Sequence, residues 1–154
     1  APIVPLEGGR VTFGMIYTAQ PFDNQLVTQT LTGAQIKGLL EESFADSGTE
    51  QFLTPSQGFA YRVDRTAPAG TRVSAMMLDG SPLDLATSYR VTNSFLAGGG
   101  DGFSTLTRGR ERVVGVTDIE ALEAWLKAVP VREVPSIRRI TERGKVAISA
   151  AELR

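Results

Sequence analysis

Histidine and cysteine are both missing from the 154 residues, and together these absences close most of the familiar routes to hydrolysis. Without histidine the chain lacks the commonest general base, the usual partner of a serine nucleophile and the main nitrogen ligand for transition metals. Without cysteine there are no disulfides, thiolate metal sites or thiol nucleophiles, although the compartment stays open because exported proteins also avoid unpaired thiols. Carboxylate-only chemistry passes this filter, so composition makes an enzyme less expected without ruling one out. An excess of either charge is lacking too: 16 Lys and Arg stand against 17 Asp and Glu. That balance gives no footprint for a nucleic-acid backbone or an anionic membrane. No apolar run approaches the roughly 20 residues that cross a bilayer, and no basic stretch followed by an apolar core opens the chain. What is present, 42% hydrophobic and 21% charged residues, suits a single domain with one continuous core.

Along the chain, Ala1 to Arg10 has no sustained period and reads as an extended lead-in. Thr12 caps a short helix over Phe13 to Ala19, with Phe13, Ile16 and Tyr17 on one face and Pro21 as its stop; a strand is the alternative. Gln25 to Leu31 alternates with β-branched content and predicts a strand. Thr32 then caps a helix from Gly33 to about Ala45, with Ile36, Leu39, Leu40 and Phe44 at helical spacing. Phe59 to Val63 and Arg72 to Leu78 form a hairpin pattern, Asp79-Gly80-Ser81-Pro82 a turn, and Tyr89 to Asn93 a short strand entering a glycine-rich stretch. Thr117 and Asp118 open a further helix with Ile119, Leu122, Trp125, Leu126 and Val129 on one face. Ile137 to Ile140 suggests a last strand. The mixed order of elements predicts an α+β class: a single domain over residues 1–154, with a mixed β-sheet packed with helices.

Two segments place an aromatic ring beside polar groups in a loop. In Gln20-Pro21-Phe22-Asp23-Asn24 the proline fixes the backbone ahead of the ring, and Asn24 offers a donor and an acceptor, which suits a planar heterocycle. The same residues also fit a plain turn in which Phe22 caps the core and Asn24 closes the chain reversal. In Asn93-Ser94-Phe95-Leu96-Ala97-Gly98-Gly99-Gly100-Asp101-Gly102-Phe103, three glycines allow close approach to main-chain N–H groups, and Asp101 can accept from two vicinal hydroxyls, as on a ribose. The run lacks the Lys and Ser/Thr of a phosphate loop and the spacing of a dinucleotide fingerprint. A flexible turn in which Asp101 bonds its own backbone is the alternative.

Taken together, these segments resemble the C-terminal domain of the 5'-nucleotidase and UDP-sugar hydrolase family. The likeness rests on Thr12-Phe13-Gly14, Tyr17 and the Gln20 to Asn24 segment, on the helix after Leu31-Thr32-Gly33, and on Ser88-Tyr89-Arg90-Val91 leading into the Asn93 to Phe103 motif. It covers most of the chain. The resemblance implies that Phe22 and Phe95 stack on opposite faces of a nucleobase, that Asn24 contacts the base, that Asp101 binds the ribose, and that Gly48 lies near the base. The family's phosphate-side arginines fall upstream, and Arg10 does not align with them.

The resemblance further implies an N-terminal metallophosphatase domain, absent from this chain, whose pair of divalent metal ions activates water. The expected role here is therefore nucleotide or nucleoside recognition for a phosphoester hydrolase, with no catalytic residue and no metal or cofactor in this chain. The expected partners are that N-terminal domain and a nucleotide or nucleoside, with no nucleic acid and no membrane in this segment. The family implies a periplasmic or extracellular location. The alternative function is a non-catalytic interaction or dimerisation module that has lost nucleotide binding. A self-contained carboxylate enzyme using Asp101 with Asp23 or Asp46 has no spacing in its favour.

Overall fold

Three threonines set the starts of three helices, and each does so by the same reciprocal bonding of side chain and backbone. A computed structural model of the chain describes residues 9–45, 53–95, 99–131 and 139–143. Helix α1 (Phe13–Ala19) begins where the Thr12 hydroxyl accepts from the Met15 N–H at 3.4 Å. Helix α2 (Gly33–Glu42) begins where Thr32 Oγ1 accepts from the Gln35 N–H at 3.2 Å, while Gln35 Oε1 accepts from the Thr32 N–H at 2.8 Å. Helix α3 (Asp118–Lys127) repeats the pattern with Thr117 and Glu120. The chain is an α+β domain whose described residues form these three α-helices and two β-sheets, and its contacts gather into two compact units.

The first unit holds the described residues up to Leu31 and those from Ser88 to Val131. Its three-stranded sheet places β1 (Gln25–Thr32) between β5 (Ser88–Asn93) and β6 (Arg110–Thr117). Strand period sorts β1 into two faces. Val27, Gln29 and Leu31 are buried, whereas Leu26, Thr28 and Thr30 are half-buried. Strand β6 runs antiparallel to β1 and pairs Gln25 with Thr117, Val27 with Val114 and Thr28 with Val113. Two side-chain bonds fix the sense of β5. Thr92 Oγ1 meets Thr28 Oγ1 at 2.8 Å, and Arg90 Nη1 donates to Thr30 Oγ1 at 3.1 Å. As β1 advances, its partner on β5 recedes, so these strands are also antiparallel. Helix α1 packs on α3, and α3 on β6.

The second unit comprises Thr32–Thr87 and the described residues 139–143. Its sheet has the order β4-β3-β2-β7, built from β2 (Phe59–Asp64), β3 (Val73–Leu78), β4 (Ser81–Pro82) and β7 (Ile140–Arg143). The β2–β3 hairpin is antiparallel and the β2–β7 pair parallel, so this sheet is mixed. The core joins Ile36, Leu39, Leu40 and Phe44 to Tyr61, Val63, Val73 and Met76. The buried Glu41 carboxylate is matched on both oxygens, accepting from Lys37 Nζ at 2.9 Å and from the backbone N–H groups of Arg72 and Val73 at 3.0 and 2.8 Å. A buried charge needs that complete a set of partners.

Several expectations shift. Helix α2 ends at Glu42 rather than near Ala45, and Ser43 and Phe44 form a turn instead. Only Ile16 of the expected α1 face is buried, with Phe13 55% and Tyr17 51% exposed, because so short a helix presents only a narrow stripe to the elements it packs on. Strand β6 has no counterpart in the sequence reading. The lead-in as far as Gly8, the loop holding Asp46 and Gly48, and Ile137 lie outside the described residues.

Candidate functional site

The two aromatic loops leave the first unit's sheet at the same end. Strand β1 begins at Gln25, just after the Phe22 segment, and the antiparallel β5 ends at Asn93, just before Phe95. Antiparallel neighbours put the start of one beside the finish of the other. Strand β6 also finishes here, since its Thr117 pairs with Gln25.

The first loop is short and held on both sides. Gln20 closes α1, its N–H donating to the Ile16 carbonyl at 2.9 Å, and Pro21 prevents the helix from continuing. Phe22 is 74% exposed, so its ring meets little of the protein. Asp23 takes a left-handed conformation with φ 49°, uncommon outside glycine, and this reverses the chain into β1. Asn24 is half-buried, and its carbonyl accepts from the Asp118 N–H at 2.9 Å. The Asp118 carboxylate in turn accepts from Gln20 Nε2 at 2.8 Å. The reading of Phe22 as a cap on the core is thus disfavoured by its exposure.

The second loop is wound more tightly. Asn93 Oδ1 accepts from the Phe95 N–H at 3.1 Å, the Phe95 carbonyl from the Gly100 N–H at 3.0 Å, and the Gly100 carbonyl from the Phe103 N–H at 2.7 Å. Gly99, Gly100, Asp101 and Gly102 are all left-handed, with φ of 81°, 102°, 45° and 93°. At Gly100 a side chain would also lie 2.8 Å from the Phe103 carbonyl oxygen. Phe95 is half-buried and meets Phe103 edge to face, with ring centroids 5.6 Å apart and planes at 66°. Phe103, in the sequence only the close of a glycine run, is 3% exposed and forms the seat of that ring. Behind it a single 3-10 turn, Ser104–Arg108, is tied to β6 by Arg112, which donates to the Thr107 carbonyl at 2.5 Å and to Gln29 Oε1 at 3.3 Å. Asp101 projects from the glycine turn as an exposed carboxylate.

The structure therefore places Phe22, Asn24, Phe95 and Asp101 in one compact unit, with Gly48 outside the described residues. In chemical terms these side chains present an exposed aromatic ring, a half-buried ring, an amide and an exposed carboxylate acceptor. The chain has no histidine or cysteine, and no three Asp or Glu residues among those described gather as a metal site. None of the described helices is long and apolar enough to cross a membrane.

Known proteins resemble this chain over most of its length. The family model described as "5'-nucleotidase, C-terminal domain" matches residues 3–108. The chain is 30% identical over 146 residues to the trifunctional nucleotide phosphoesterase protein YfkN of Bacillus subtilis, covering 89% of this chain and 10% of that protein. Among solved structures it is similar to a 5'-nucleotidase precursor from Thermus thermophilus, with TM-score 0.80, 36% identity, and 90% of this chain and 29% of the other covered. It is also similar to the Haemophilus influenzae NAD nucleotidase, with TM-score 0.74, 28% identity, and coverage of 87% and 26%. The chain thus spans less than a third of each of these relatives.

Proposed function

We propose, from the premise that this chain belongs to the family of 5'-nucleotidase C-terminal domains, that it is the nucleoside-gripping part of a phosphoester hydrolase. Phe22 and Phe95 stack on the two faces of the base, Asn24 reads a base edge, and Asp101 receives the ribose hydroxyls. The observation that carries this reading is the shared sheet end: β1 starts there and β5 stops there, bringing together two loops that each bear a phenylalanine and a polar partner. The 74% exposure of Phe22 supports it, because a large ring left in water on a short, tied loop is suited to a ligand rather than to the core.

Hydrolysis belongs, in this reading, to an N-terminal metallophosphatase domain over and above residues 1–154. Its divalent metal pair would supply activated water and charge stabilisation. The present chain presents the nucleoside to it, with domain rotation delivering the substrate. A periplasmic or extracellular setting follows from the same membership.

Isothermal titration of this chain with adenosine, AMP and uridine is the direct test. Heat that saturates in the wild type and disappears in Phe95→Ala is the expected result. No heat at millimolar ligand, with a folded chain, would refute nucleoside recognition by these residues. A second reading, an interaction or dimerisation module, is favoured by the exposure of Phe13 and Tyr17 on α1 and of Trp125 on α3. Sedimentation that shifts with protein concentration and ignores nucleoside would select it.

A further inference from the structure

We infer that Asp118, together with Gln20, is a positioning device for the Phe22 loop. Two bonds converge on Asp118 from the two ends of that loop: Gln20 Nε2 donates to its Oδ2 at 2.8 Å, and its own N–H donates to the Asn24 carbonyl at 2.9 Å. Only Pro21, Phe22 and Asp23 lie between the tied residues. The clasp stands at the sheet end where Thr117 pairs with Gln25, so it borrows the rigidity of the β1–β6 ladder.

Helix capping alone does not explain this arrangement. Thr117 and Glu120 already satisfy the first turn of α3, so an exposed aspartate at the next position would serve the helix dipole equally well. Instead Asp118 is 7% exposed, and its Oδ1 is buried without a hydrogen-bond partner among the described residues. Burying a carboxylate with one oxygen unmatched is unfavourable. The compensating gain lies in what Oδ2 holds. A ring that stacks on a ligand must be presented in one place, and a loop fixed at both ends loses less freedom on binding.

The inference rests on the nucleoside-recognition reading, and its test separates the two. Adenosine affinity, thermal midpoint and backbone heteronuclear NOEs at Phe22 and Asp23 are measured in the wild type, Phe22→Ala, Gln20→Ala, Asp118→Ala, the double alanine variant and Asp118→Asn. Gln20→Ala and Asp118→Ala should each weaken adenosine binding by roughly five- to tenfold. The double variant should be no weaker than either. The NOEs at Phe22 and Asp23 should fall in all three. Asp118→Asn keeps an oxygen for Gln20 and should bind within about twofold of the wild type. Because Gln20 closes a helix and is half-buried, its variant remains informative should Asp118→Ala fail to fold. Wild-type binding that Phe22→Ala removes but both clasp variants retain overturns the clasp alone. Additive losses in the double variant, or unchanged NOEs, overturn it as well. A wild type that binds no adenosine, or one unaffected by Phe22→Ala, overturns the recognition reading and the clasp with it.

Discussion

Replacing Asp101 by glycine should separate what this residue does for the fold from what it does for a ligand. Asp101 is exposed and sits at φ 45° between left-handed glycines. A non-glycine residue in that region costs roughly 1–2 kcal/mol, with aspartate at the lower end because its short side chain bonds locally. Glycine removes the strain but enlarges the unfolded ensemble, an opposing effect of about 0.4–1 kcal/mol. The two nearly cancel, so Asp101→Gly should be neutral or up to about 1 kcal/mol more stable in urea unfolding. Asp101→Ala keeps a non-glycine residue at φ 45° without aspartate's greater tolerance of that region, and should be the less stable of the pair. Binding should respond differently. Two hydroxyls on one carboxylate are charge-assisted bonds, each worth about 1.5–3 kcal/mol, so both variants should lose at least roughly tenfold in adenosine affinity. Titration with 2′-deoxyadenosine adds a diol-specific readout: the wild type should discriminate against it and Asp101→Gly should not. If Asp101→Gly instead loses stability and affinity in parallel, the carboxylate is a structural staple of its loop. If affinity is unchanged, the ribose assignment is wrong.

Phe22→Ala should leave stability within about 0.5 kcal/mol of the wild type, given the ring's exposure, and should weaken nucleoside binding by about 1–3 kcal/mol, the worth of one stacked face. Phe95→Ala should add a stability loss of about 0.5–1.5 kcal/mol, because its contact with Phe103 goes too; equal stability effects at the two positions would contradict this. Gly33→Ala should destabilise by about 1–3 kcal/mol, since a Cβ there would overlap the Asp84 carbonyl and lie 2.9 Å from Leu85 Cα, and backbone does not yield as a side chain does; an unchanged urea midpoint would refute this. Burial, and secondarily the charge of Glu142, pushes the Tyr61 phenol up to about 12, against about 10 in the unfolded chain. The fold therefore favours the neutral phenol, and this stability is complete below about pH 10 and lost as pH rises through about 12, an effect on the order of 2–3 kcal/mol. Urea midpoints followed across that range should fall steeply in the wild type and less so in Tyr61→Phe; parallel curves would remove Tyr61 as the cause.

What the sequence disclosed is what depends on neighbours a few residues apart. Thr12, Thr32 and Thr117 mark their helices because a capping bond spans three positions. The alternation of β1 is legible for the same reason, and the hairpin of β2 and β3 follows from two patterned runs around a proline and glycine turn. Strand β6 is not legible in the sequence because Arg110-Glu111-Arg112-Val113-Val114-Gly115-Val116 has no period of two. As an edge strand it leaves Val113 and Val114 both 58% exposed, so neither face imprints a pattern. The charged Glu142 and Arg143 of β7 obscured its bounds in like manner; their partners Arg65 and Asp64 are far away in the sequence. The candidate binding residues were legible by type and by family pattern, but Gln20 read only as the start of a loop and Asp118 only as a cap. Their bond spans 98 positions and belongs to the fold.

The sheet register explains how two loops so distant in sequence come to one end of the sheet. Loops are where binding groups collect, provided that a rigid scaffold fixes them. Here β1 supplies that scaffold for both loops at once. The Thr28–Thr92 and Arg90–Thr30 bonds hold β5 in one alignment, and the Gln25–Thr117 pair holds β6. A slip of β5 by one residue would carry Phe95 about 3.3 Å along the sheet and turn its neighbours to the opposite face, so strand pairing sets where the two loops stand relative to each other. Each loop then contributes a strained aspartate, Asp23 beside Asn24 and Asp101 within the glycine turn. Strain of that kind persists only where surrounding structure over-determines the backbone. In the first loop the Asp118 clasp supplies that determination, and in the second the Asn93, Phe95, Gly100 and Phe103 chain of hydrogen bonds does so.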